Sequence, residues 1–355
     1  MLLEKEHPFL SITIIDEHFE AGQKHLCFMR NEKIPEDYIQ RTWNRISMTD
    51  SDGNRSSHEL KSERYRLLDW KKLHKDTLAL CENNSRVKLI RGRLNGLAEA
   101  ADHVSVSLVN GEKIIGDKVF NSVQYKPSSY DLIQQFKGAI IEFEEEQYNP
   151  SEASLMDFKG RCSTTDVEFK YELPFSKSKA LVEYTIITSN PLTRDELNKR
   201  FGKVLSKMNK VKSISSEESG AIPMPMERLI SRNTFRTMHI GLAGGFQRRS
   251  SGYLLQTVHD QLDLWSNFAS SRTISPITKR ARLKEYLDTV FLSVLKSKPS
   301  SGKKMFLAMF EGTSGDQFLR FMFNRITLRS VLPIVLSLPK TPFLKHAAIH
   351  FRSLF

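Results

Sequence analysis

Several residues in this chain have types and spacings that bear on chemistry. Asp16 closes a short β-branched run, Ile12 to Ile15. A carboxylate at the end of such a strand is placed to accept ribose hydroxyls in a dinucleotide-binding unit. The glycine fingerprint of that unit should lie about 20 residues upstream, which here falls before Met1. Far along the chain, Gly241, Ala243, Gly244 and Gly245 follow an apolar segment, and Ser250, Ser251 and Gly252 open an expected helix. Glycines let a backbone approach a phosphate-bearing ligand, and the N–H groups of a helix start suit an anion. A tight structural turn is the plainer reading. Glu183 stands alone amid Val182, Tyr184 and Ile186 on an expected buried strand, sharing one face with Leu181 and Thr185. Its plainer reading is a cross-strand ion pair with a lysine such as Lys170. Asp157, between Met156 and Phe158 on a neighbouring expected strand, has a hydrogen-bonded structural role as its alternative. His239 and His259 read as core or solvent histidines.

The elements that must position these residues are legible in outline. Asp69 caps an expected helix with Trp70, Leu73 and Thr77 on one face. Val104, Val106 and Leu108 keep period two, and Asn110-Gly111 signals a hairpin. A buried strand is expected just before Pro127. Residues 134–190 read as a meander of strands, with Phe175 to Lys179 turning the last pair. Thr193 and Glu196 spell a capping box for a helix striped by Leu197, Phe201, Val204 and Met208. Leu283, Tyr286, Leu287, Val290, Phe291 and Val294 form a second helical stripe. Further helix is expected from Asp316. The order α/β, antiparallel sheet, α suits a nucleotide-binding layer with an inserted substrate sheet and a helical cap.

Composition narrows the classes. Hydrophobic residues make up 39% of the 355 and charged residues 26%, as in a globular chain long enough for two or more cores. The net charge of +12 favours an anionic surface as partner, nucleic acid or acidic lipid. Aromatic-basic interleaving and nucleic-acid recognition motifs are missing, so nucleic acid falls behind. Cys27, Cys81 and Cys162 have neither zinc spacing nor an even count, so no metal site is expected and a reduced, cytoplasmic compartment fits. No signal peptide and no apolar run of about 20 residues is found, which leaves peripheral membrane contact. The tail mixes apolar blocks with Arg325, Arg329, Lys340, Lys345 and Arg352. That pattern suits adsorption to an anionic bilayer, or packing as a helical cap.

In order along the chain, "ITIID", "VFNSV…KP", "FKGAIIE", "LMDF", "YELPFSKSKALVEYT", "EESGAIPM", "GLAGG…SSGY" and "SLPKTPFLK" resemble the bacterial lycopene β-cyclase family of flavoproteins. The resemblance runs from Ser11 to Leu344. It implies a Rossmann-type FAD-binding layer over residues 1–130 and 216–265. An antiparallel substrate sheet with a helix would occupy 131–215, and a helical cap with a basic-apolar tail 266–355. The family's first strand and glycine loop would precede Met1. The chain as given therefore reads as half a Rossmann unit that holds FAD poorly, either an upstream start or a degenerate paralogue. Lys24, Leu26 and Met29 depart from a polar residue and two tryptophans of the family, and Arg248-Arg249 from a less basic segment.

The resemblance also implies acid-catalysed, non-redox cyclisation of linear carotene ends to β-rings, with lycopene as substrate. It implies reduced FAD as cofactor and NAD(P)H as reductant. Glu183 matches the family's acidic position and is the expected proton donor. A buried carboxyl has a raised pKa, which supplies the acid at neutral pH. Asp157 is the expected second carboxylate. Glu217 and Glu218 suit orienting the turn after Gly220, or touching flavin, better than moving a proton. Asp16, Gly241, Ala243, Gly244, Gly245, Ser251 and Gly252 are the expected FAD contacts. Two other readings remain: a carotenoid- or isoprenoid-binding protein without flavin catalysis, and an FAD-dependent prenyl reductase.

Overall fold

A computed structural model describes residues 10–29, 34–123, 131–161, 163–226, 233–262, 265, 279–325 and 327–351. Its spine is a seven-stranded sheet in the order Val211–Met224, Leu132–Phe143, Lys179–Thr188, Val167–Pro174, Glu152–Asp157, Arg45–Thr49, Arg55–Glu59. Neighbours run antiparallel except Glu152–Asp157 against Arg45–Thr49. The expected meander is therefore present. The Phe175 N–H closes its last hairpin on the Lys179 carbonyl at 2.8 Å. The sheet also recruits two strands from before residue 131, so it reaches across the boundary expected there. Arg45 and Arg55, at the start of those strands, both pair with Glu152.

The sheet is covered on both faces, which is why Lys179–Thr188 reads as a nearly unbroken apolar run. One face meets the helix Arg194–Leu205, begun by the Thr193–Glu196 capping box. Leu197, Phe201 and Val204 of that helix pack on Ala139, Ile141, Ala180, Val182, Tyr184 and Ile186. Each large apolar side chain buried there contributes about 1.5–3 kcal/mol. Leu181 and Ile187 point to the other face, into a core shared with Phe169, Leu173 and the C-terminal helices Lys279–Ser297, Gly302–Glu311 and Gly315–Met322. The helical stripe read from Leu283 onward ends in this core, where Phe291, Val294 and Leu295 are buried.

The rest of the chain forms smaller pieces around this spine. Ile12–Asp16 runs parallel to Val87–Arg91, and the intervening helix Trp70–Glu82 is capped by Asp69, which accepts from the Lys72 N–H at 3.0 Å. Val119–Asn121 runs parallel to Thr237–His239, just ahead of the glycine cluster. Asn110-Gly111 turns an antiparallel pair, with Gly111 at φ +88°. Helix was expected to open at Ser250 to Gly252, but it begins at Leu255 and ends at Asp260. Gly252 sits at φ +76° with its N–H bonded back to the Arg248 carbonyl at 2.7 Å. A left-handed residue there interrupts any helix.

Candidate functional site

Strand register builds the site. Gly138 is the register partner of Glu183 on one side and of Glu218 on the other, and Glu183 is in turn the partner of Tyr171. Glu218, Gly138, Glu183 and Tyr171 thus form one row across four strands, on the face away from the helix Arg194–Leu205. The absent side chain at 138 leaves the space that the two carboxyl groups share. A Cβ there would overlap the Cγ of Glu183 and stand 2.9 Å from the Val182 carbonyl oxygen.

A β-bulge selects Glu218. Ser215 faces Ile140, yet Glu218 rather than Glu217 faces Gly138, so Ser216 and Glu217 together stand opposite one residue. Ser216 takes φ +50° at that point. Such a bulge re-aims the side chains beyond it. Glu217 is turned outward, where it pairs with Lys137. Glu218 is turned inward, sharing the register partner Gly138 with Glu183, and its Oε1 is hydrogen-bonded to Nδ1 of His25. The His25 and Glu218 side chains are only 3% and 7% exposed. His25 reaches the pair from the segment between Asp16 and the strand Cys27–Met29.

Glu183 is 8% exposed, and no lysine or arginine pairs with it among the described residues. Burial, then the charge of Glu218 and the hydrogen bond to it, hold its carboxyl well above the usual range. The ion pair read as the plainer role for Glu183 does not form. Lys170 is the register partner of Tyr184, one residue on, and so lies on the opposite face. Its Nζ is 3.2 Å from Asp157 and 3.1 Å from Glu172. This also corrects the expectation for Asp157, which sits in that ion pair on the far side of the sheet from Glu183. A cleft of about 720 Å³ opens on the Lys170 side, lined by Arg45, Arg55, Glu152, Tyr148 and Glu172. Its charged lining does not suit a hydrocarbon.

Aromatic residues continue the row. The hydroxyls of Tyr65 and Tyr171 are hydrogen-bonded, Tyr65 and Tyr253 meet at 2.8 Å, and Tyr171 donates to Sγ of Cys27 at 3.4 Å. The Tyr253 ring lies 4.1 Å from Phe323, and Tyr65 lies 6.0 Å from the same ring. Burial raises the pKa values of Tyr65, Tyr171 and Tyr253 and pushes the Cys27 thiol up to about 12, so all four stay neutral. Sequence reasoning missed these hydroxyls, along with His25. The arrangement can give a proton from a neutral carboxyl, take one on its neighbour, and surround a cation with aromatic rings while excluding water.

The expected FAD contacts divide into two groups. Asp16 is exposed at the end of its parallel strand, opposite Arg91. Gly241, at φ +59°, has open space where a Cβ would stand. Gln256, on the helix Leu255–Asp260, is 3% exposed with neither amide atom paired, an adjacent donor and acceptor that the edge of a flavin ring would satisfy. These residues fit the group. Gly244 is required internally, since a Cβ would strike the backbone of His239 and Ile240. Gly245, at φ +68°, closes the same turn on the Leu242 carbonyl, with Ala243 at its centre. Ser251 donates to the Met322 carbonyl at 2.7 Å, and Gly252 packs on Ile222. Arg248 and Arg249 are buried rather than presented to a ligand. Arg248 reaches Asp288 at 3.1 Å and stacks on Phe321 at 3.9 Å, and Arg249 donates to Thr289 at 3.1 Å.

Solved structures share this fold. A geranylgeranyl bacteriochlorophyll reductase-like protein from Thermoplasma acidophilum aligns with a TM-score of 0.66 at 12% identity, covering 96% of this chain and 92% of that one. The flavin-dependent halogenase BrvH from Brevundimonas sp. BAL3 aligns at 0.55 and 10% identity, over 97% and 89%. The p-nitrophenol 4-monooxygenase PnpA from Pseudomonas putida DLL-E4 aligns at 0.55 and 9% identity, over 98% and 92%. The architecture is thus the mixed α/β fold of these proteins, ending in helices. No curated protein matches the sequence. The family described as "Lycopene cyclase protein" matches residues 3–348, nearly the whole chain, and the protein belongs to the lycopene cyclase family.

Proposed function

We propose that this chain cyclises the ends of linear carotenes such as lycopene to β-rings, by acid catalysis without net redox change. The observation that carries the reading is the Glu183 carboxyl, buried without a cation in the row beside Glu218, where burial raises its pKa. The family supplies the substrate class. Glu183 gives its proton to a terminal alkene, a neighbouring double bond attacks the cation, and a proton leaves. Tyr65, Tyr171, Tyr253 and Phe323 keep water from capturing the cation and present electron-rich ring faces. Asp16, Gly241 and Gln256 would hold FAD. When bound and reduced, with NAD(P)H as reductant, FAD supplies negative charge that stabilises a cation nearby.

The substrate is a hydrocarbon and is drawn from a bilayer. No helix among the described residues is long and apolar enough to cross one. The helix Leu328–Ser337 and the turn after it instead divide their apolar residues between two faces, and Lys340–Ile349 adds to the outer one. Val331, Ile334 and Leu338 are buried in the core, while Leu332, Val335, Leu336, Leu344 and Ile349 are exposed beside Lys340 and Lys345. Both readings of the tail thus find residues, an inner cap and an outer surface suited to an anionic membrane.

The test is Glu183→Gln in flavin-loaded protein, supplied with lycopene in anionic liposomes and scored for β-rings by absorption and chromatography. The amide is nearly isosteric, so the fold should persist while cyclisation falls by about 10²–10⁴-fold. Near-wild-type turnover would remove Glu183 from the chemistry. A product heavier by two hydrogens would mark a reductase instead.

A further inference from the structure

The row across the sheet contains a second carboxyl that proton donation by Glu183 does not use. Glu218 stands across the Cβ-less Gly138 from Glu183, and its Oε1 contacts Nδ1 of His25. His25 is the basic side chain that touches this pair, since Lys137 turns outward to Glu217 and Lys170 lies across the sheet. Its Nε2 lies 3.2 Å from the Gln23 side-chain nitrogen, and its ring is 6.4 Å from Phe175. The charge of Glu218 and burial both disfavour the charged form of Glu183, which stands beside it in the row. An Nδ1–H donated to the Oε1 of Glu218 would hold that carboxyl in place beside Glu183 as a proton acceptor.

We infer that Glu218 is the base that removes the proton after ring closure, and that His25 is the positioning residue that keeps Glu218 ready to accept it. This rests on the cyclisation reading above. The proton balance closes within the pair. The Glu183 O–H bond breaks as a C–H bond forms at the alkene, and the ring C–C bond then forms from the attacking π pair. A C–H bond beside the cationic carbon gives its electron pair to the new ring double bond, and its proton goes to the Glu218 carboxylate. That proton then returns to Glu183, its neighbour across Gly138, and the pair is as it began. Tyr171 also flanks Glu183, but its neutral hydroxyl is committed to Tyr65 and Cys27 and cannot serve as the base.

The consequence specific to this role is product identity. A cyclised tertiary cation carries protons on three neighbouring carbons, and the base's position decides which leaves and where the ring double bond lies. Glu218→Gln keeps the shape but removes the base. It should slow turnover by about 10²-fold or more and shift the remaining product from β-rings towards the other double-bond isomers or the water-captured alcohol. His25→Leu should give the same shift more weakly. His25→Asn, whose amide N–H stands near the place of Nδ1–H, should restore the wild-type isomer ratio. Flavin content and thermal midpoint are read on each protein. Folded, flavin-loaded Glu218→Gln that makes β-rings at the wild-type rate would overturn the role of Glu218. Equal behaviour of His25→Leu and His25→Asn would overturn that of His25. Both results presuppose a cyclising wild type, so they are distinct from failure of the cyclase reading, in which wild-type protein makes no rings at all.

Discussion

At the scale of single residues, the site depends on a carboxyl that ought not to be buried and a glycine that lets it be. An ionised Glu183 without a cation would cost several kcal/mol in this environment. It is spared that cost by keeping its proton, and this has a sign that can be measured. In the unfolded chain Glu183 ionises near its ordinary value of 4.5, whereas the folded protein retains the proton to a higher pH. The stability it contributes is therefore complete below 4.5 and lost as pH rises toward the folded value. Thermal midpoints of wild type and Glu183→Gln should diverge as pH rises above 4.5, with the wild type falling relative to the variant. A constant difference would mean that Glu183 is ionised in the native state. Gly138→Ala tests the space itself. A methyl group must displace Glu183 or the Val182 carbonyl, at a typical overpacking cost of about 1–3 kcal/mol. We expect a lower thermal midpoint and a larger loss of turnover than stability alone explains.

At the scale of elements, the glycine-rich turn after Thr237–His239 is fastened to the C-terminal helices by charged groups. Arg248 and Ser250 both contact Asp288 on Lys279–Ser297, at 3.1 Å and 2.6 Å for their nearest atoms, and Ser251 holds Met322 on the next but one helix. The basic pair that departs from the family pattern is therefore structural. Removing one member of a buried pair leaves the other uncompensated, which costs about 3–5 kcal/mol. Arg248→Met should destabilise by that amount in denaturant titration. The double variant Arg248→Met with Asp288→Leu should recover part of the loss, because no lone charge remains. Equal losses in the single and double variants would show that the arginine acts by packing on Phe321 rather than through Asp288.

At the scale of the whole molecule, charge and exposed apolar surface coincide at one end of the chain. The excess of 53 basic over 41 acidic residues favours an acidic surface generally. The outward residues Leu332, Leu336 and Leu344, with Lys340 and Lys345, give that attraction a place. Changing the three leucines to serine should weaken sedimentation with anionic vesicles with little effect on the thermal midpoint, since they face solvent. Changing the two lysines to glutamine should reduce the salt sensitivity of the same binding. Unchanged vesicle binding by both variants, or no binding by the wild type, would remove this surface from membrane contact.

Local sequence determined much of this molecule. The Thr193–Glu196 cap, the Asp69 cap, the Asn110-Gly111 turn and the strand meander all follow from short-range propensity and periodicity. The family could be read from motifs spaced along nearly the whole chain. Glu183 was legible because a single acid in an apolar run stands out. Its partners were not. The identity of the second carboxyl depends on which face each residue meets, and one bulged residue at Ser216 exchanges Glu217 for Glu218 opposite Gly138. Asp157 looked equivalent in sequence, yet register pairs it with Lys170 on the far face. His25 arrives from a strand end about 190 residues from Glu218. Side-chain alternation has period two, so a one-residue shift reverses every face beyond it, and only the assembled sheet decided which groups would stand together.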